Sequence, residues 1–324
     1  QGYSSAASDV YKRQVTVSAV LPVFAVYPMP VQTATETEAV YLFNADTGKT
    51  ILSQNADQQK YVASLTKLMT ALLLVESGKD LNGEVTVPTA LTQEFRDIQN
   101  ANGTTMGLRI GETVRRIDLL YGLLVASAND AASVIASDVS GGDLTAFVAR
   151  MNARAKELGM EDTHFVNCTG LDDEPSAAEH LTSAYDIALM SRELILNHPS
   201  IREYTTIWMD SIRDGAFGLT NTNRLVRFYQ GATGLKTGST DSALYCVSAT
   251  AERDGMELIA VVMKSPTSAQ RFEDAKALLD YGFANYTLAR VYPDVPLAPV
   301  EVLLGTTAQV QPQLERECSL LVRK

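Results

Sequence analysis

Histidine, cysteine and tryptophan are scarce in this chain: three, three and one among 324 residues. Each scarcity removes a class of chemistry. Cys168, Cys246 and Cys318 lie far apart, are odd in number and show no Cys-x-x-Cys spacing, so neither a thiolate metal site nor a redox pair is expected. Cys246 sits in the apolar run Leu244-Tyr245-Cys246-Val247-Ser248-Ala249 and reads as a small buried hydrophobe. His164, His180 and His198 fit no ligand pattern such as His-Glu-x-x-His, and loop or capping roles are expected for them. A hydrolase on this chain would therefore need a base other than histidine. Long hydrophobic runs are also missing. The apolar stretch Val15 to Ala25 is too short to span a bilayer and suits the core of a signal peptide, with Val23-Phe24-Ala25 as a small-residue cleavage site. Basic residues are outnumbered, 27 against 38 acidic, for a net charge of -11. That sign argues against nucleic acid or an anionic membrane as a partner of the main body.

A 46% hydrophobic content over this length is enough for one large core and a second small domain. The chemistry concentrates in Ser64-Leu65-Thr66-Lys67, which opens an apolar helical run through Leu68, Met69, Leu72, Leu73 and Val75 to about Gly78. In a helix beginning at Ser64, positions three apart share a face, so the Lys67 amine falls beside the Ser64 hydroxyl. A serine hydroxyl is a poor nucleophile at neutral pH and needs an adjacent base, which Lys67 supplies once neutral. Burial and a second cation both favour the neutral amine, and Lys236 is the expected second cation. Two further clusters follow in order, Ser127-Ala128-Asn129 and Lys236-Thr237-Gly238.

The three clusters together resemble the active-site-serine penicillin-recognising enzymes, with their S-x-x-K, S-x-N and K-T-G motifs. Within that group the chain is most similar to the low-molecular-mass penicillin-binding proteins that act as D-alanyl-D-alanine carboxypeptidases. The similarity extends to Asn44-Ala45-Asp46-Thr47-Gly48-Lys49, Phe165-Val166-Asn167-Cys168-Thr169-Gly170-Leu171 and Asn221-Thr222-Asn223-Arg224-Leu225, and covers roughly residues 38 to 290. The chain departs from the family at Cys168, where proline is more frequent, and at Ala128, where glycine is common. The resemblance implies a three-layer αβα transpeptidase-like fold, of the α/β (α+β) class, with a central antiparallel sheet. It implies Ser64 as nucleophile, Lys67 as base, Ser127 as proton relay and Asn129 as holder of the substrate amide. Lys236 and Thr237, with Gly238 beside them and Arg271 nearby, would bind the terminal carboxylate, and the backbone N–H groups of Ser64 and Ser239 would form the oxyanion hole. Asp130 reads as structural. No metal and no cofactor are implied. The implied partners are peptidoglycan stem peptides ending in D-Ala-D-Ala and β-lactam antibiotics, met on the extracytoplasmic side, with membrane association only through a further C-terminal segment. Two other readings stay open: a β-lactamase and a catalytically silent penicillin sensor.

Along the chain, residues 1 to 37 read as a non-native Ser/Ala-rich flank, a partial signal peptide and a linker containing Pro28 and Pro30. Residues 38 to 290 form the expected catalytic domain. It should open with a hairpin, Glu38 to Phe43 and Thr50 to Ser53. A helix capped by Thr113 should carry Val114, Ile117, Leu120, Tyr121 and Leu124 and deliver Ser127. Another should carry Phe147, Met151, Ala155 and Leu158 and stop at Gly159, and Ser183 with Asp186 should cap one that ends before Pro199. Lys236-Thr237-Gly238 should precede two strands, 243 to 250 and 256 to 263, with a closing helix carrying Phe272, Ala275, Leu279 and Phe283. Residues 291 to 324 read as the truncated start of a β-rich second domain, with strands near 300 to 304 and 308 to 310.

Overall fold

The computed structural model describes residues 37–173, 175–213, 215, 217–291, 298–301, 309–311 and 318–324. The leader and linker expected before residue 37 lie outside them. Asn44-Ala45-Asp46-Thr47-Gly48 makes the expected turn: Asn44 Oδ1 accepts from the Thr47 N–H at 2.9 Å, and Gly48 takes φ +68°. Strands β1 (Ala39–Asn44) and β2 (Lys49–Gln54) flank it. The other three strands of the sheet begin 178 residues after β2 ends: β3 (Ala232–Thr240), β4 (Leu244–Arg253) and β5 (Met256–Ser265). Pairing is antiparallel throughout in the order β2-β1-β5-β4-β3, with Tyr41 opposite Val261 and Lys236 opposite Ser248. This leaves β3 on an edge.

Alternation along β1 and β5 sorts side chains to two cores. Tyr41, Phe43, Ile259, Val261 and Met263 face one, while Val40, Leu42, Leu258, Ala260 and Val262 face the other. A sheet buried on both faces must be apolar at every position, which is why these strands show little polar alternation. The first core is covered by α1 (Thr66–Glu76), α3 (Arg116–Leu124), α4 (Asn129–Ser140), α5 (Leu144–Glu157) and α6 (Ala184–Asn197), with α2 (Thr92–Asn100) outside α4. The second is covered by α7 (Ser268–Asn285) through Phe272, Ala275, Leu279 and Phe283. The three-layer αβα arrangement with an antiparallel sheet is therefore present.

Three local expectations change. Thr113 does not cap a helix: it belongs to a short strand, Thr113–Arg115, paired with Glu84–Thr86, and α3 starts after Arg115. Its β-branched side chain meets Thr86 across the pair at 3.0 Å instead of closing a helix end. Lys236-Thr237-Gly238 does not precede the strands but lies inside β3. Ser64 stands in a 3-10 turn, Ala63–Leu65, and α1 proper begins at Thr66. The caps of α5 and α6 are as read: Gly159 has φ +78°, and Ser183 accepts from the Asp186 N–H at 3.2 Å. Near the C-terminus Tyr286–Val291 pairs with Cys318–Arg323, and Val300–Glu301 with Gln309–Val310; residues 302–308 lie outside the described ones. Among the described residues no helix is long and apolar enough to cross a membrane.

Candidate active site

The 3-10 turn at Ala63–Leu65 owes its shape to its neighbours. Ala63 holds φ +50°, a left-handed conformation costly for a residue with a Cβ. Its carbonyl packs against Gly170, where an added Cβ would lie 1.9 Å from the Ala63 oxygen. On the other side Gly238 of β3 comes so close that a Cβ there would stand 3.1 Å from the Ser64 nitrogen and 3.2 Å from that of Leu65. Two glycines thus clamp the Ser64 turn between a loop and a strand. The Thr66 N–H closes the turn onto the Ala63 carbonyl.

One turn on, Lys67 is fully buried. Its Nζ lies 3.0 Å from Ser64 Oγ, 2.7 Å from Asn129 Oδ1 and 2.6 Å from the Thr169 carbonyl. Burial lowers its pKa to about 7, against smaller opposing effects of Cys168 and Asp130. Of the two causes expected, burial carries the shift, and Lys236 is not among the groups that act on Lys67. Repulsion between the two lysines tells instead on Lys236, which burial, Lys67 and Arg271 hold well below the usual lysine range. The partners also settle the direction of the Ser64 bond. Asn129 Oδ1 and the Thr169 carbonyl can only accept, so a neutral amine spends both of its N–H bonds on them. Its lone pair is left for the Ser64 hydroxyl, which then donates to it. The arrangement can take a proton from Ser64 and from no other neighbour.

Asn129 opens α4 and is itself pinned, since its backbone N–H and its Nδ2 both donate to the Thr104 carbonyl, at 2.8 and 3.0 Å. Asp130 has the structural role expected of it: its carboxylate accepts the N–H groups of Met106 and Leu108, each at 2.9 Å, and holds the strap 104–108 over the helix start. Ser127, two residues before α4, has φ +63° and is 9% exposed, so the junction is a strained bend rather than an ordinary helix end.

On β3, Lys236 is buried and donates to the Thr237 carbonyl at 2.9 Å, and Thr237 Oγ1 donates to Thr222 Oγ1 at 2.6 Å. Ser239 is exposed on the same strand. In an antiparallel strand residues two apart direct their N–H and C=O to the same side. The Thr237 carbonyl is reached by Lys236, which puts Ser239's backbone groups on that side too. Arg271 is not an exposed helix arginine: it is buried, donates to the Gly238 and Cys246 carbonyls at 3.1 and 3.3 Å, and lies over the rings of Phe272 and Tyr245. It supports β3 and β4 from within the fold.

The structure therefore gathers Ser64, Lys67 and Asn129 by direct contact and sets Gly238 against the serine turn. It also adds groups that sequence reasoning missed: the Thr169 carbonyl, Gly170, Thr104 and Thr222. The segment Asn167 to Leu171 carries part of the family resemblance, but nothing in it announces that a main-chain carbonyl will meet a lysine 102 positions away. His180 joins this loop to α1. Its Nδ1 accepts from the Val166 N–H at 3.3 Å, which leaves Nε2–H to donate to Thr66 Oγ1 at 2.8 Å. Burial lowers its pKa to about 3, so it is neutral at physiological pH. Cys168 and Cys246 are buried thiols pushed up to about 12 and about 11 by burial. Among the described residues one group of metal-ligating types gathers, Glu76, Glu193 and His198, and Arg154 Nη2 already bridges both glutamates at 2.7 Å.

The sequence model of the S11 peptidases, D-alanyl-D-alanine carboxypeptidase, matches residues 27–267. The D-alanyl-D-alanine carboxypeptidase DacF of Bacillus subtilis is 35% identical over 298 residues, covering 90% of this chain and 74% of that protein. Penicillin-binding protein 5 of Haemophilus influenzae superposes with a TM-score of 0.78 at 27% identity, over 92% of this chain and 85% of that one. Penicillin-binding protein D2 of Listeria monocytogenes, solved in its ampicillin-bound form, gives 0.64 at 33% identity, over 76% of this chain and 97% of that one. The chain belongs to the D-alanyl-D-alanine carboxypeptidase family of S11 peptidases.

Proposed function

We infer that this member of the family is a serine D-Ala-D-Ala carboxypeptidase, which removes the terminal D-alanine from peptidoglycan stem peptides through an acyl-enzyme on Ser64 and is acylated there by penicillins. The observation that carries the reading is the Lys67 amine, 3.0 Å from Ser64 Oγ, buried, with a pKa near 7 and its other two neighbours able only to accept.

The steps follow from that arrangement. Neutral Lys67 takes the Ser64 proton as Oγ attacks the carbonyl between the two D-alanines, and the N–H groups of Ser64 and Ser239 receive the oxyanion. Collapse breaks the C–N bond. The leaving amine takes a proton passed from Lys67 through Ser127, and free D-alanine departs. Water then attacks the ester, giving its proton to Lys67, and Ser64 Oγ recovers one as it leaves. Asn129 Nδ2 spends one hydrogen on Thr104 and keeps the other for the substrate amide. Lys236 and Thr237 hold the terminal carboxylate, with Arg271 behind the strand. Peptidoglycan lies beyond the cytoplasmic membrane, so this reading is extracytoplasmic. Val15 to Ala25 is the segment proposed as the export signal.

Intact-mass measurement after penicillin should find one added equivalent on the wild type and none on Ser64→Ala. D-Alanine should also appear with time from diacetyl-Lys-D-Ala-D-Ala. Labelling without D-alanine release would point to a silent sensor, and rapid loss of the label with antibiotic turnover to a β-lactamase.

A further inference from the structure

Both lysines of the site are buried, and so is Arg271, whose Nη1 donates to main-chain carbonyls and Nη2 to Ser268 Oγ while Nε has no partner. An exposed cation, Arg224, nevertheless follows a segment bonded to the same strand. Arg224 follows Asn223, whose side chain is locked by a bond from Nδ2 to the Gly234 carbonyl at 2.9 Å and one from the Leu225 N–H to Oδ1 at 3.1 Å. Two residues before Arg224, Thr222 accepts the Thr237 hydroxyl. The two residues before Arg224 are thereby tied to β3, at Thr237 and at Gly234, and Arg224 itself opens the short helix Leu225–Phe228. Its side chain is exposed and has no hydrogen bond or ion pair among the described residues. Burial lowers the Arg271 pKa to about 10, and the Arg224 charge adds a smaller effect in the same direction.

We propose that Arg224 is a specificity-determining residue, drawing the free terminal carboxylate of the peptide toward Thr237 and so favouring chains that end there over chains that are amidated or continue. This rests on the carboxypeptidase reading. An unpaired guanidinium in water acts mainly on encounter and orientation, and salt screens it.

The test compares wild type, Arg224→Gln and Arg224→Lys at low and high salt. Two pairs of probes are used: diacetyl-Lys-D-Ala-D-Ala against its C-terminal amide, and benzylpenicillin against its methyl ester, the latter pair read as the acylation rate constant. For the glutamine variant at low salt we expect kcat/KM on the acid, and acylation by free penicillin, to fall about fivefold, chiefly through KM, with the amide and ester within about twofold of wild type. The lysine variant should recover most of the loss, and high salt should shrink the difference. An acid-to-amide ratio unchanged in Arg224→Gln, or an equal fall on both members of each pair, would overturn the proposal. If the wild type releases no D-alanine, the carboxypeptidase reading fails, yet the penicillin pair still judges Arg224.

Discussion

At the scale of single residues the site turns on the proton of one amine. Lys67 is charged below about pH 7 and neutral above, and only the neutral form accepts from Ser64. Acylation by penicillin should therefore rise with pH through about 7 and level off above it, measured as a pH profile of the second-order rate constant. Asn129→Asp tests the cause. It places a carboxylate where Lys67 now meets a neutral oxygen at 2.7 Å, and an opposite charge there favours the ammonium. The rising limb should move up by about one pH unit or more, with acylation at neutral pH falling about tenfold. A profile that stays in place would separate Lys67 from the limb.

At the scale of elements, the loop that ends in Gly170 is as much part of the site as the helix. Gly170 has φ +85° and no room for a Cβ, so Gly170→Ala must push the loop off the Ala63 carbonyl, carrying the Thr169 oxygen away from Lys67. We expect a loss of at least ~2 kcal/mol of stability in urea titration and a fall in acylation larger than that destabilisation explains. Much of the element pattern was legible beforehand. The hairpin around Asn44 to Gly48, the caps at Ser183 and Gly159 and the stripe on α7 follow local rules, and the structure keeps them. Thr113 was misread because a threonine ahead of an apolar stripe suits a strand as well as a cap, and only its pairing with Thr86 decides. Ser64 and Lys67 were legible as neighbours because three residues of helix set their distance. The Thr169 carbonyl was not, because main-chain acceptors leave no mark on residue identity and the contact is made by tertiary packing alone.

At the scale of the whole molecule, the two cores back a sheet whose far end holds a second ionisable group under strain. Glu257 is buried beside Arg202 and accepts from Thr233 Oγ1 at 3.1 Å, and burial raises its pKa from 4.5 to about 7. A carboxyl that binds its proton more tightly when folded contributes most stability below pH 4.5, and that contribution is lost as the pH rises through 7. Glu257→Gln should accordingly cost more at pH 4.5 than at pH 8 in thermal or urea unfolding. A cost independent of pH would mean that Glu257 titrates normally in the fold. The edge position of β3 has a consequence of another kind. A strand with one side unpaired is a template, and an extended peptide laid along Ser239 would become the sixth strand of the sheet. Recognition by strand addition reads the main chain and leaves alternate side chains pointing out of the plane. On that geometry the enzyme should be strict about the last two residues and indifferent to the third, so stem peptides carrying lysine or diaminopimelate there should be trimmed with kcat/KM values within about threefold of each other.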